Sequence, residues 1–472
     1  MATLNSAYSI ATSALEAAQA ALNIVANDTA NVNTPGYTSE IPQWRMNDPV
    51  TIGDTSYGTG ATMTGPSSQR DLILEQRIQQ LTQLQQGSSS RLAALDQLQT
   101  IFSAATSASS SGSSGDIGQS ISNFFSALSA LQGSPADTSL RQAVLSAASS
   151  LASAFQSASS QLSQEQGALN QQTVSTVNQV NSLTQSIAQL NHQISAISPS
   201  GDAGQLEDQR QYDLQQLSQL IGIHVTANED NSITVTTANG TALIAKNQAF
   251  ALSAGITGGS EHIFDASGND ITSELTGGGG SLGGILTARD QDIPQMQSAL
   301  DTLAYSLASS LNAANAQGSD ANGNPGGAIF NIPPTAAGAA SSISVAITDP
   351  AKIAAAGTGN GPSDNSNLDR MLALQNQAQS GLGGDTPTSY YASFVSALGN
   401  LVSQISTQNT VQQASLTQLQ TQRDSLSAVN LNDEAAALQN LQNAFQAASK
   451  VFTILDTVMA SALNLGVETT VS

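Results

Sequence analysis

His192, His224 and His262 are the imidazoles of this chain, and their separations match neither a paired metal-ligand spacing nor a base beside a nucleophile. They read as isolated surface or turn residues. Cysteine is absent, which removes disulfides, thiolate metal sites and thiol nucleophiles together. Asp320-Ala321-Asn322-Gly323-Asn324 begins like a calcium loop, in which alternate oxygens converge on one cation. Pro325 then stands where such a loop needs glycine, and Asn331 where it needs a bidentate glutamate. Asp265-Ala266-Ser267-Gly268-Asn269-Asp270 fails in the same way and reads as a turn. The glycines of residues 277–284 lack the Lys-Ser/Thr of a phosphate loop, so they read as a hinge into the next helix. Serines crowd into low-complexity tracts, and no Gly-x-Ser-x-Gly sits between a strand pattern and a helix pattern. The carboxylates are scattered and form a solvated acidic face. These residue types in these positions point to no catalytic, cofactor or metal site, and the expectation is a protein that is not an enzyme.

The elements that carry these residues are those of an assembly protein. The chain has 472 residues, enough for two or three domains, yet aromatics make up only 4% and charged residues 10%. Thick cores lean on aromatic and branched side chains, so thin helical layers fit this composition better. A net charge of −22 repels phosphate backbones and anionic bilayers, which argues against nucleic acid and membrane-surface partners. No apolar run approaches the ~18–20 residues that span a bilayer. The first basic residue is Arg45, and no continuous apolar run precedes it, so export by a cleaved signal peptide is not expected.

Periodicity predicts a helix over residues 3–27 with a heptad seam of Leu4, Tyr8, Ala11, Leu15, Ala18, Leu22 and Val25. It ends at Asn31-Val32-Asn33-Thr34-Pro35-Gly36-Tyr37, where Pro35 and Gly36 suit the centre of a type II turn. A loop with short extended pieces follows to residue 68. Helical patterns cover residues 67–109, 121–131, 139–196 and 204–221, broken by a Ser/Gly-rich loop over 107–118 and by Pro199-Ser200-Gly201-Asp202. Period-two runs with Asn-rich turns place strands between 223 and 275. Helix returns at 286–316, then a linker over 317–340, a strand at 343–347 and a helix from 368. The helix over 389–426 carries polar seam positions, Gln408, Gln412 and Ser415, which predict looser packing there. The last helix, 433–464, carries Leu438, Leu441, Phe445, Ala448, Phe452, Leu455, Met459 and Ala462, with Asn432 as its cap and Leu431 as its staple. The fold class is therefore mainly α with a β insertion, elongated. Two terminal helices, each too poor to stand alone, pair as a coiled coil.

Residues 11–37, with Ser13-Ala14-Leu15, Ala18-Gln19 and Ala30 to Tyr37, closely resemble the signature of bacterial flagellar rod, hook and hook-associated proteins. Val429-Asn430-Leu431-Asn432-Asp433-Glu434-Ala435-Ala436 resembles its C-terminal counterpart. Within that group, Gln205 to Arg210, Gly280 to Asp290 and Ile347 to Ala354 resemble the hook-associated protein 1 family. After Tyr37 the family usually has a polar-basic pair where this chain has Thr38-Ser39-Glu40, so contacts of the turn are expected to differ. Some members insert a domain between the positions of Phe330 and Ile343. About a dozen residues bridge them here, so that outer domain is expected to be missing.

The resemblance implies a domain order: 1–34 with 430–472 as a terminal helical core, 35–221 with 285–429 as a helical bundle, and 222–284 as a β-rich domain. It implies a structural subunit of the junction between hook and filament, self-assembling through its terminal helices. Its partners would be copies of itself in a helical zone, the hook protein below and the next hook-associated protein or the filament above. An export chaperone would bind the C-terminal helix, and the protein would be extracellular, exported without a cleaved signal peptide. Asn31, Asn33, Thr34, Pro35, Gly36 and Tyr37 form the motif turn, and no cofactor is implied. A hook or rod subunit, and from another class a secreted acidic adhesin or a glycan-active enzyme with its site in the β region, stay open.

Overall fold

The computed structural model describes residues 2–52, 54–103, 117–197, 203–257 and 260–465, and side chains within these apart from 2–4, 52, 103 and 463–465. Expected breaks at 107–118 and 199–202 fall wholly or mostly outside the described residues.

Helix α1 (Ala2–Asn31) leads into β1 (Glu40–Met46), β2 (Val50–Ile52), β3 (Thr55–Tyr57) and β4 (Ala61–Ser68). Then come α2 (Leu72–Ser103), α3 (Ile117–Gly133), α4 (Thr138–Ile197) and α5 (Gln205–Leu220). Strands β5 (Ile223–Ala227), β6 (Ile233–Thr237), β7 (Ala242–Ala245), β8 (Gln248–Ala249), β9 (Ser253–Thr257) and β10 (Ser260–Phe264) follow. After α6 (Thr272–Leu275) and α7 (Gly280–Thr287), a π turn at Ala288–Asp292 joins α8 (Ile293–Ala316). Short β11 (Gly318–Ser319), β12 (Phe330–Asn331), α9 (Ala339–Ser342), β13 (Ser344–Val345), β14 (Ala356–Gly357) and α10 (Ser366–Ala373) precede the long α11 (Pro387–Ser427) and α12 (Leu431–Leu465). The fold is mainly α with a small β insertion.

The chain forms two compact units, which cut across the three regions expected from sequence. One holds residues 1–83, 179–252 and 413–472, the other 84–178 and 253–412. The four-stranded antiparallel sheet β5-β6-β7-β8 belongs to the first unit, and the β9–β10 hairpin to the second. The reason lies in side chains that period counting cannot see. Asn191 on α4 is fully buried; it donates to the carbonyls of Ile233 and Lys246 and accepts from the Ile233 amide. Arg210 on α5 donates to the Asn231 carbonyl at 2.6 Å. Asn231 and Lys246 both have positive φ (59° and 54°), so these grips hold the two strained turn residues of the sheet.

The extended pieces expected before residue 68 pair into a ribbon, β1 against β4, with a bulge between Gln43 and Trp44 and the small β2–β3 hairpin beyond it. Within the first unit, Leu74, Ile78 and Leu416 join α2 to α11.

The second unit contains the large core, where Leu95, Leu98, Phe124, Phe155, Leu303 and Phe330 are buried together. Of the polar seam positions of α11, Gln412 is paired and Gln408 is exposed. Ser88 Oγ donates to Gln412 Oε1 at 2.5 Å, and Gln85 Nε2 to Asn409 Oδ1 at 3.1 Å. Arg91 forks onto both oxygens of Asp292 at 2.8 Å. The glycine run leads into the next helix as expected, with Gly277, Gly279 and Gly280 at positive φ (73°, 90° and 69°), but its far end also packs. Gly283 and Gly284 lie buried inside α7, and a Cβ on Gly284 would collide with the Gly87 carbonyl of α2. Small residues are required because two helix backbones touch there. Gly284→Ala should destabilise the protein by roughly 1–3 kcal/mol, the cost of overpacking a rigid contact. Urea unfolding followed by circular dichroism measures it, and an unchanged midpoint would refute the close-contact account.

Candidate assembly site

Helix α1 is built largely of alanine with spaced leucines, a strong helix former that leaves a shallow apolar face. It packs antiparallel on α12. Tyr8 packs on Phe452 with ring centroids 4.9 Å apart, and at the opposite end the charge of Asp28 reaches Glu434. Of the expected seam, Ala11, Ala18 and Val25 are buried and Tyr8, Leu15 and Leu22 half-buried, while the Leu4 side chain lies outside those described. Ala17, Ala21 and Ile24 are buried as well, because the β1–β4 ribbon covers a second side of α1. That second contact widens the apolar face beyond a two-position seam.

On α12, Leu441, Phe445, Ala448, Phe452, Leu455 and Met459 are half-buried. Leu438 and Ala462, the two ends of the expected stripe, are exposed, since the pairing does not cover them. The helix starts at Leu431, one position after Asn430, whose side chain accepts the Asn432 amide at 3.0 Å. Asn430 and not Asn432 is therefore the cap. Leu431 is exposed and does not serve as a staple. A second apolar stripe faces solvent about a quarter-turn around the helix: Val451 at 50%, Ile454 at 62% and Val458 at 43% exposure. Fully burying such a side chain contributes roughly 1.5–3 kcal/mol, so the folded chain leaves part of that gain unrealised.

The motif turn has the geometry that its residues dictate. The Tyr37 amide donates to the Thr34 carbonyl at 3.2 Å, with Pro35 and Gly36 between and Gly36 at φ +81°, a type II turn. A side chain on Gly36 would also press against Tyr212. Asn31 donates to the Asn27 carbonyl and accepts from Thr34 Oγ1, tying the turn back to the helix. Asn33 and Pro35 are exposed.

The turn exists to deliver Tyr37 and its successors to Asp28. Asp28 is wholly buried; it accepts from Tyr37 Oη at 2.5 Å, Ser39 Oγ at 3.2 Å and the Glu40 amide at 3.0 Å. Burial, and then the bond to Asp28, push the Tyr37 phenol well above its usual range. Next along the chain, the Thr38 amide donates to Asp208 Oδ2 at 3.1 Å, and Arg70 pairs with the same carboxylate. The Ser39 amide donates to the Ser427 carbonyl at the end of α11. The departure at Thr38-Ser39-Glu40 thus has a structural role, with all three residues buried. Asp28, Arg70 and Asp208 were not singled out from sequence as site residues. The available signal was an acid three residues past Val25, next to the seam, with a tyrosine nine residues further on.

The two loops that resemble calcium sites are closed by their own backbone. Asp320 Oδ1 accepts the amides of Asn322 and Asn324, and Asp265 Oδ1 those of Ser267 and Asn269. Among the described residues, no three His, Cys, Asp or Glu side chains cluster to hold a metal, and no helix is long and apolar enough to cross a membrane.

Burial, then the charges of Asp28 and Asp433, hold the Glu434 carboxyl above its ordinary value of 4.5. A carboxyl raised in the folded state binds its proton more tightly there than in the unfolded chain, so its contribution to stability is greatest in acid. It falls as pH rises through the ordinary glutamate range toward the raised folded value. Glu434→Gln should therefore increase amide protection across α1 and α12 at neutral pH and flatten its decline above pH 4.5. Tyr37→Phe should lower protection at the end of α1 by roughly 1.5–3 kcal/mol, the worth of a bond to a charged acceptor. Hydrogen exchange by mass spectrometry reads both, and unchanged protection in either variant counts against this arrangement.

Comparison with known proteins places this geometry. Residues 95–330, half of the chain, match the model of the flagellar hook-associated protein FlgK helical domain, and residues 9–38 match that of the flagella basal body rod protein. The chain is 25% identical over 554 aligned positions to flagellar hook-associated protein 1 of Escherichia coli, covering 98% of this chain and 100% of that protein. It is 26% identical over 498 positions to the protein of that description in Bacillus subtilis, covering 96% of each. A solved structure described as the flagellar hook junction protein FlgK from Burkholderia pseudomallei superposes with a TM-score of 0.66 at 21% identity, covering 74% of this chain and 99% of that one. An antiparallel terminal pair, a motif turn locked onto it and a helical-domain match across the middle agree: the chain belongs to the flagellar hook-associated protein 1 (FlgK) family of structural flagellar proteins.

Proposed function

We propose that this protein forms the zone where the flagellar hook meets the filament, and that its terminal helices join copies of the chain into that zone. One observation carries the reading. The expected seam is largely spent inside the chain, Tyr8 against Phe452, while Val451, Ile454 and Val458 stay in solvent on the same helix. A subunit of an open, repeating array needs such a residual surface, because each copy meets its neighbour through patches that the isolated fold does not satisfy. The hook protein then lies below this zone, and the next hook-associated protein or the filament above it. A chaperone covering the apolar C-terminal helix before assembly suits the same exposed stripe, and the zone lies outside the cell.

Residues 1–34 with 430–472 act in this reading as the inner layer, 35–221 with 285–429 as the helical layer around it, and 222–284 as a β appendage. The outer domain that some relatives insert is absent. Phe330 pairs directly with Val345, closing the chain across the insertion point, and the 554-position alignment exceeds the length of this chain. The match to the helical domain favours this role over that of a hook or rod subunit.

Electron microscopy of a deletion strain should show hooks without filaments, with filament protein released to the medium; normal filaments would overturn the junction role. Replacing Val451, Ile454 and Val458 together with serine should leave a folded, exported protein that fails to restore filaments. Full restoration by that variant would remove the helix from the assembly contact.

A further inference from the structure

The first unit carries a second exposed apolar surface, on the β1–β4 ribbon. Directly opposed residues of an antiparallel pair share a face. Trp44 opposes Met63 and Met46 opposes Ala61. The β4 members are half-buried, whereas Trp44 is exposed and Met46 is 84% exposed, the highest value among the exposed large apolar side chains. The ribbon's apolar face is therefore wider than the chain covers.

Its position along α1 is fixed. A Cβ on Gly60 would meet Ile10 and Ser13 of α1, and the Gly60 carbonyl accepts the Asn47 amide at 2.9 Å, which places Met46 and Asp48 at that level. Tyr8 of α1 meets Phe452 of α12 with ring planes tilted by 42°, so the stripe of Val451 and Ile454 stands at nearly the same level along α1. Two distinct unsatisfied surfaces at one height are what a laterally repeating subunit requires. The occupant is indicated by charge as well. Lys450 is exposed beside Val451 and is the one basic residue after Arg423, while Asp48 is exposed beside Met46. In a chain of net charge −22 most lateral contacts would repel; this one sets Lys450 against Asp48, and it also offers the exposed Asp456 beside Ile454 to the exposed Arg45 of the ribbon.

We propose that the ribbon face of Trp44 and Met46 seats on the Val451–Ile454 stripe of α12 in a laterally neighbouring copy, with Asp48 of one copy facing Lys450 of the other. This rests on the assembly reading above and adds the identity of the surface that meets the stripe.

The absence of native cysteine makes the test direct. Met46→Cys and Ile454→Cys are introduced singly and together into the full chain, and flagella isolated from complemented cells are oxidised. The double variant should give a ladder of disulfide-linked dimers, trimers and larger species, and neither single variant should give that ladder. Incorporation of the double variant without a ladder, or with a bridge inside one chain only, overturns the lateral contact while leaving the junction role intact. Absence of the unmodified chain from isolated flagella overturns the junction role itself, and this contact with it. Charge reversal provides an independent arm. Asp48→Lys and Lys450→Asp should each reduce filament attachment severalfold, and the pair together should restore it; a double variant no better than the singles overturns the pairing.

Discussion

An ionised carboxylate taken out of water costs several kcal/mol unless donors replace its hydration. Asp28 sits wholly buried on the α1 face, and the chain immediately after α1 supplies those donors: the phenol of Tyr37, the hydroxyl of Ser39 and the amide of Glu40. That demand dictates the path. The helix must end, the chain must turn through Pro35 and Gly36, and the backbone must return alongside α1 to start β1. Once it does, the Thr38 amide meets Asp208 on α5 and the Ser39 amide meets the last turn of α11. A single buried acid thereby ties the first helix, the ribbon, α5 and α11 into one unit.

The same unit is incompletely satisfied at its other end. Packing α12 on α1 buries alanines well and large side chains only by halves, because an alanine-rich face is too shallow to enclose Phe445 or Phe452. Shallow faces allow close approach but recover little apolar area, so the pair is intrinsically weak. Weakness of this kind is consistent with the proposed role of the terminal helices in joining copies. The second unit shows the opposite design, with a deep core, backbone contact at Gly87 and Gly284, and polar side chains paired across α2 and α11. Rigidity is concentrated there, and unsatisfied surface at the chain's ends.

Among the described residues, acidic side chains in both units serve as local acceptors. Asp265 and Asp320 spend their oxygens on their own loop amides, and Asp28 and Asp208 spend theirs on the turn. Four carboxylates in prominent positions thus act as local acceptors, which is how a chain so rich in acids can stay structural.

Much was legible in the residues. The periods of apolar side chains located the long helices and the strand region, and Pro35-Gly36 determined the type II turn, because both follow from local backbone preferences. The terminal signatures pointed to the family for the same reason, being contiguous. What depended on contacts between distant residues was not legible. Asn430 rather than Asn432 caps α12 because the helix begins where Glu434 can bond back to Asn430. The far end of the glycine run packs as well as turning into a helix because Gly87, about two hundred positions earlier, comes against Gly284. The apolar stripe of α12 reads from sequence as one seam. The folded pair half-buries most of that seam and leaves a second stripe beside it, Val451, Ile454 and Val458, in solvent, since a period tells which side of a helix is apolar but not how wide a partner will cover it.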